Sequence, residues 1–140
     1  MKKISVRFLF SLIFLFILIP NTSFTQVITP QLSAEEEEVV KPLRIIVEAW
    51  YKKDIDLGMS VYHEKAIVEM AGGGKVNKDR LRKILKPGSP DLSYDIQKIE
   101  ISGDKATVEC IQRFGNKTFP RKFDLVKERE TWLIIGQWLQ

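Results

Sequence analysis

Ile45-Ile46-Val47-Glu48-Ala49-Trp50-Tyr51-Lys52-Lys53-Asp54-Ile55-Asp56-Leu57, followed by Tyr62-His63-Glu64-Lys65-Ala66-Ile67-Val68-Glu69, is the stretch that decides the fold. Leading into it, apolar residues at positions 39, 43, 46, 47, 50 and 51 recur at the helical period and mark one buried stripe. Lys52-Lys53 puts positive charge where a helix C-terminus favours it. Two acids then turn the chain. Asp56 reads as the N-cap of a short second helix over residues 57–62, and residues 66–70 read as a first strand. Helix, corner, helix and strand, with more strands to follow, predict a cone-shaped α+β domain.

Downstream, Ala71-Gly72-Gly73-Gly74 ends the strand and reads as a linker or hinge, because it has neither the GxxxxGK[ST] nor the GxGxxG spacing of a phosphate loop. Asn77 caps a third helix over residues 78–86, with Leu81, Ile84 and Leu85 inward, and Pro87-Gly88-Ser89-Pro90 stops it. The rest alternates as antiparallel sheet. Strands over residues 93–102, 105–114, 118–128 and 131–139 are joined at Gly103-Asp104, Gly115-Asn116 and Arg129-Glu130. Ala106, Val108, Cys110, Gln112 and Phe114 share one face of their strand. In the last strand Trp132, Ile134 and Trp138 point one way and Leu133, Ile135 and Leu139 the other. So small a domain has helices for only one sheet face, so Leu133, Ile135 and Leu139 are expected to form a homodimer face.

Upstream, Lys2, Lys3 and Arg7 precede an apolar run over residues 8–19 that Pro20-Asn21 closes. A basic end, roughly 12 apolar residues and a polar exit describe a secretory signal, since a spanning helix needs about 20. Residues 1–25 are therefore expected to direct export to a periplasmic or secreted location. No Ala-x-Ala precedes Gln26, so an uncleaved N-terminal anchor is the alternative, and only then does the protein meet a membrane. Residues 26–38 read as a tether and residues 39–140 as the domain. Ser33-Ala34-Glu35-Glu36 matches a capping box, but Pro42 implies that the main helix begins near it or bends there.

The formal charge of +4 comes from 22 basic and 18 acidic residues. Three of the basic residues lie in the export segment, so the domain itself is close to neutral, which gives no support for a nucleic-acid partner. Cys110 is the only cysteine, which excludes an intramolecular disulfide and a lipid anchor at the cleavage site. Asp54 and Asp56 lack the downstream oxygen ligands of a calcium loop, and one histidine cannot supply the usual several-ligand metal site. No metal or cofactor is expected.

The chain resembles the nuclear-transport-factor-2-like superfamily, also called the SnoaL-like or ketosteroid-isomerase-like fold. The resemblance rests on Ala49-Trp50-Tyr51-Lys52-Lys53-Asp54-Ile55-Asp56, the corner Val61-Tyr62-His63-Glu64-Lys65-Ala66, the turn Ser102-Gly103-Asp104-Lys105-Ala106 and the ending Phe123-Asp124-Leu125-Val126-Lys127-Glu128-Arg129-Glu130-Thr131-Trp132. It is nearest to small exported bacterial members without an assigned reaction, including those labelled lumazine-binding. It implies a strongly curved, mostly antiparallel sheet wrapped around a pocket that N-terminal helices close, often in a dimer through the outer sheet face. It also implies that the catalytic Asp and the oxyanion-stabilising Tyr of the isomerases align here with Met70 and Ile46, so that apparatus is vacant. Glu69 and His63 are the remaining acid/base candidates, for a dehydratase, isomerase or cyclase. The favoured expectation is a non-catalytic pocket for a small apolar or aromatic ligand, or a dimeric interaction module, with walls from Trp50, Tyr51, Tyr62, Tyr94, Phe114, Phe123 and Trp132.

Overall fold

The computed structural model describes residues 31–140. The expected export segment and the first part of the expected tether lie outside the described residues. Helix α1 (Ala34–Lys52) starts at a complete capping box: the Ser33 hydroxyl accepts from the Glu36 N–H at 3.2 Å, and Glu36 Oε2 accepts from the Ser33 N–H at 2.8 Å. Residues 34–38, read as tether, are therefore already helix, and the helix neither waits for Pro42 nor ends at it. Pro42 forfeits one ladder hydrogen bond, but the reciprocal cap, acids in the first turn and burial of Val39, Val40 and Leu43 outweigh that loss.

Helix α2 (Ile55–Ser60) is capped by Asp54, whose carboxylate accepts from the Leu57 N–H at 2.9 Å. Asp56 is not the cap; it lies inside α2 and pairs with Arg82. Strand β1 (Tyr62–Glu69) begins earlier than expected and takes Tyr62 into the sheet. The glycine run is a closed hairpin turn rather than a hinge, with Gly73 donating to the Met70 carbonyl at 2.8 Å and Met70 to the Gly74 carbonyl at 2.7 Å. It leads to strand β2 (Lys75–Asn77), and Asn77 caps helix α3 (Lys78–Ile84). Strands β3 (Leu92–Ser102), β4 (Lys105–Phe114), β5 (Lys117–Glu128) and β6 (Thr131–Leu139) follow.

The six strands form one sheet in the order β2-β1-β6-β5-β4-β3. Every neighbouring pair is antiparallel except β1 with β6, which is parallel. The inner face, carrying Val108, Cys110, Phe123, Leu125, Ile134 and Val68, packs on Val39, Val40 and Leu43 of α1. One irregularity changes which residues face inward. Leu125 pairs with Ile134 but Asp124 with Gly136, so Ile135 is an extra residue in β6. Such a bulge reverses the alternation beyond it. Gln137 and Leu139 therefore stand opposite Phe123 and Arg121, on the inner-face side, and Leu139 does not belong with Leu133 on the outer face. Trp138 turns outward instead: it folds over Gly136, donates Nε1–H to Asp124 at 2.7 Å and lies 5.3 Å from the Lys75 ammonium.

Candidate functional site

A cavity of about 290 Å³ lies between the inner sheet face, α1 and α3. Trp50, Tyr62, Tyr94 and Phe114 line it, with Leu81 and Leu85 on the α3 side. Trp50 is held by its indole N–H, which donates to the Pro90 carbonyl at 2.8 Å, and by an edge contact with Phe114 at 5.5 Å between ring centroids. Tyr94 stands edge-on to Phe123 at 5.4 Å. Phe119, outside the expected set, completes the aromatic wall.

Three expected wall residues lie elsewhere. Tyr51 sits next to the buried Trp50 on α1 and so turns outward: it is 52% exposed, and its hydroxyl clasps the Leu92 N–H and carbonyl, each at 3.2 Å. Phe123 is fully buried in the core, as is most of Trp132, whose ring lies 5.8 Å from the Lys127 ammonium.

Neither acid/base candidate reaches the cavity. Alternation in β1 turns Ala66 and Val68 inward, so Glu69 faces away and its carboxylate accepts the Leu139 N–H at 3.1 Å. His63 Nδ1 accepts from the Lys65 N–H at 3.0 Å, which leaves Nε2–H to donate to Glu128 at 2.8 Å. The two positions that the resemblance marks for catalysis do line the cavity, and they carry the apolar side chains of Ile46 and Met70.

Arg121, Gln112, Tyr62, Tyr94 and Gln137 bring polar groups to the cavity lining. Arg121 is only 5% exposed; its Nε donates to Gln112 Oε1 at 2.7 Å and Nη1 to the Glu69 carbonyl at 2.6 Å. Tyr62 donates its hydroxyl to Gln137 Oε1 at 2.8 Å. Burial pushes the Tyr62 phenol well above its ordinary value, and burial together with the neighbouring Tyr62 and Cys110 does the same to Tyr94, so both remain neutral donors at physiological pH. Burial draws the Arg121 guanidinium down, but an arginine keeps its charge in any protein environment. Sequence reasoning missed Arg121 and Gln137. For Arg121 the signal was present, since Phe119, Arg121, Phe123 and Leu125 alternate on one face. For Gln137 the bulge hid it.

No protein-family model matches the chain, and no curated protein matches it. Among solved structures, an NTF2-like protein of unknown function from Shewanella oneidensis MR-1 superposes with a TM-score of 0.63 at 21% identity, covering 74% of this chain and 96% of that one. This chain has the NTF2-like fold. A protein of unknown function with a cystatin-like fold from Nostoc punctiforme matches at TM-score 0.60 and 16% identity, over 78% of this chain and 92% of its own. An NTF2-like protein from Cytophaga hutchinsonii matches at 0.59 and 13%, over 78% and 98%. The NTF2-like architecture thus accounts for the curved sheet and for helices gathered on one of its faces. Among the described residues no group of three or more His, Cys, Asp or Glu side chains is placed to hold a metal ion, and no helix is long and apolar enough to cross a membrane.

Proposed function

We propose that the domain is an exported, non-catalytic binder of one small apolar or aromatic molecule. The observation that carries this reading is the cavity lining: aromatic and aliphatic side chains dominate it, and it includes no carboxylate and no imidazole. A pocket without either has no proton acceptor of the usual kind for dehydratase or isomerase chemistry. At about 290 Å³ the space is at the small end for ligand pockets, which suits a mono- or bicyclic ring system. The neutral dye N-phenyl-1-naphthylamine is expected to bind the purified domain saturably at one site, and Ile46→Trp, which fills the cavity from α1, is expected to abolish that binding. Unsaturable uptake, or uptake that Ile46→Trp leaves intact, would remove the basis for a binding role.

A second copy of the chain is proposed to cover the outer sheet face. Leu133 and Val126 are cross-strand partners on that face, and Ile135 stands beside them at the bulge. Light scattering at micromolar concentration is expected to give a dimer, and Leu133→Lys a monomer. A monomeric parent protein ends this proposal without touching the cavity.

A further inference from the structure

Arg121 is an unusual residue to find on an apolar wall. Taking a guanidinium out of water costs several kcal/mol unless a partner compensates it. Two backbone or amide oxygens partner it here, but among the described residues no carboxylate forms an ion pair with it. Its Nη2 has no hydrogen-bond partner among those residues either. Yet among them no buried side-chain nitrogen or oxygen lacks a partner, so Nη2 is not sealed inside protein, and the space that Arg121 borders is the cavity.

The same holds for two neighbours. Gln137, a lining residue only 6% exposed, spends its amide oxygen on Tyr62, which leaves its NH₂ group without a hydrogen-bond partner among the described residues. Tyr94 is likewise a lining residue, and its hydroxyl makes no hydrogen bond to the described residues. Guanidinium, amide NH₂ and phenol are all donors. Lys117 is the other charged residue of the lining, so the wall carries two positive charges and no negative one.

Resting on the binding role proposed above, we infer that the cavity takes an apolar molecule bearing one carboxylate, its oxygens received by Arg121, Gln137 and Tyr94 and its ring packed against Trp50 and Phe114. With Nε and Nη1 engaged, Nη2 is left to give a carboxylate oxygen a charge-assisted hydrogen bond, and a single buried cation balances a single negative charge. A phosphate monoester would bring up to twice that charge into a site with one buried cation.

The test compares 1-naphthaleneacetate with its neutral twin, 1-naphthaleneacetamide, by calorimetry on the full chain. The carboxylate is expected to bind at least about tenfold more tightly, as charge-assisted hydrogen bonds require. Arg121→Met is expected to erase that preference and keep the amide's affinity, and Arg121→Lys to keep part of it. Should Arg121→Met fail to fold, Tyr94→Phe removes one donor that holds no other bond, and it is expected to weaken the carboxylate several-fold while sparing the amide. Equal affinity of the parent protein for both probes overturns the carboxylate inference and leaves a binding role standing. Binding of neither probe, nor of the neutral dye, overturns both.

Discussion

Phe123→Ala is expected to destabilise the domain by about 3–5 kcal/mol, the largest effect of any single truncation in the sheet. Phe123 is fully buried, meets Tyr94 edge-on and stands between Val108 and Gln137 in the register of β4, β5 and β6. Its loss removes aromatic burial and leaves a void that strands fixed by hydrogen bonds on both sides cannot close. Against a total stability of about 5–15 kcal/mol, that is a fifth or more for a typical domain. The melting temperature is expected to fall by at least about 12 °C. Urea unfolding followed by tryptophan fluorescence measures it, with Tyr51→Ala, on the exposed side of α1, as a comparison expected to cost about 1 kcal/mol. A cost below about 1 kcal/mol for Phe123→Ala would place that ring on the cavity wall, not in the core.

The second large effect is alkaline unfolding. Burial pushes the Cys110 thiol up from its ordinary 9.0 to about 12, with Asp95 adding to the rise and Arg121 opposing it. Burial raises the Tyr62 and Tyr94 phenols above their ordinary 10.0 in the same direction. The unfolded chain therefore loses these protons at a lower pH than the native domain does. Stability is full below the ordinary values and falls as pH rises through 9.0 and then 10.0 toward the native values. Each group contributes a slope of about 1.4 kcal/mol per pH unit once its unfolded form has titrated, so three together approach about 4 kcal/mol per unit. Denaturant midpoints measured across the alkaline range are expected to fall steeply, and Cys110→Ala is expected to delay the onset from the thiol range to the phenol range. A flat profile through both ranges would mean that these groups reach water in the native domain.

The architecture was readable wherever local chemistry and long-range packing agreed. The helical stripe through Val39, Leu43 and Trp50, the Asn77 cap and the inner face of β4 all follow from period and capping alone, although Tyr51, read into that stripe, turns outward. Where two local signals competed, packing decided. The capping box at Ser33 prevailed over Pro42, because Val39, Val40 and Leu43 anchor the helix on both sides of it. Asp56 reads as the cap in sequence, but the helix starts two residues earlier, at Ile55, so Asp54 caps it instead. Two features needed the third dimension. Three-residue β2 has too little pattern to register, and the extra residue at Ile135 inverts the faces of Gln137, Trp138 and Leu139. The candidate site was half legible for the same reason. Aromatics announce themselves by composition, whereas Arg121 and Gln137 look like surface residues until the strands beside them are placed.

The parallel pairing of β1 with β6 sets an order on synthesis. Tyr62 meets Ile134, and the Ile134 N–H donates to the Val61 carbonyl at 2.8 Å, so the strand that opens the sheet waits for the strand that finishes it. Until β6 has emerged, β1 has only β2 beside it and β5 has an unpaired edge. A nascent chain thus keeps an incomplete sheet until the final strand is made, and a ribosome that stalls before Thr131 releases a chain with exposed strand edges.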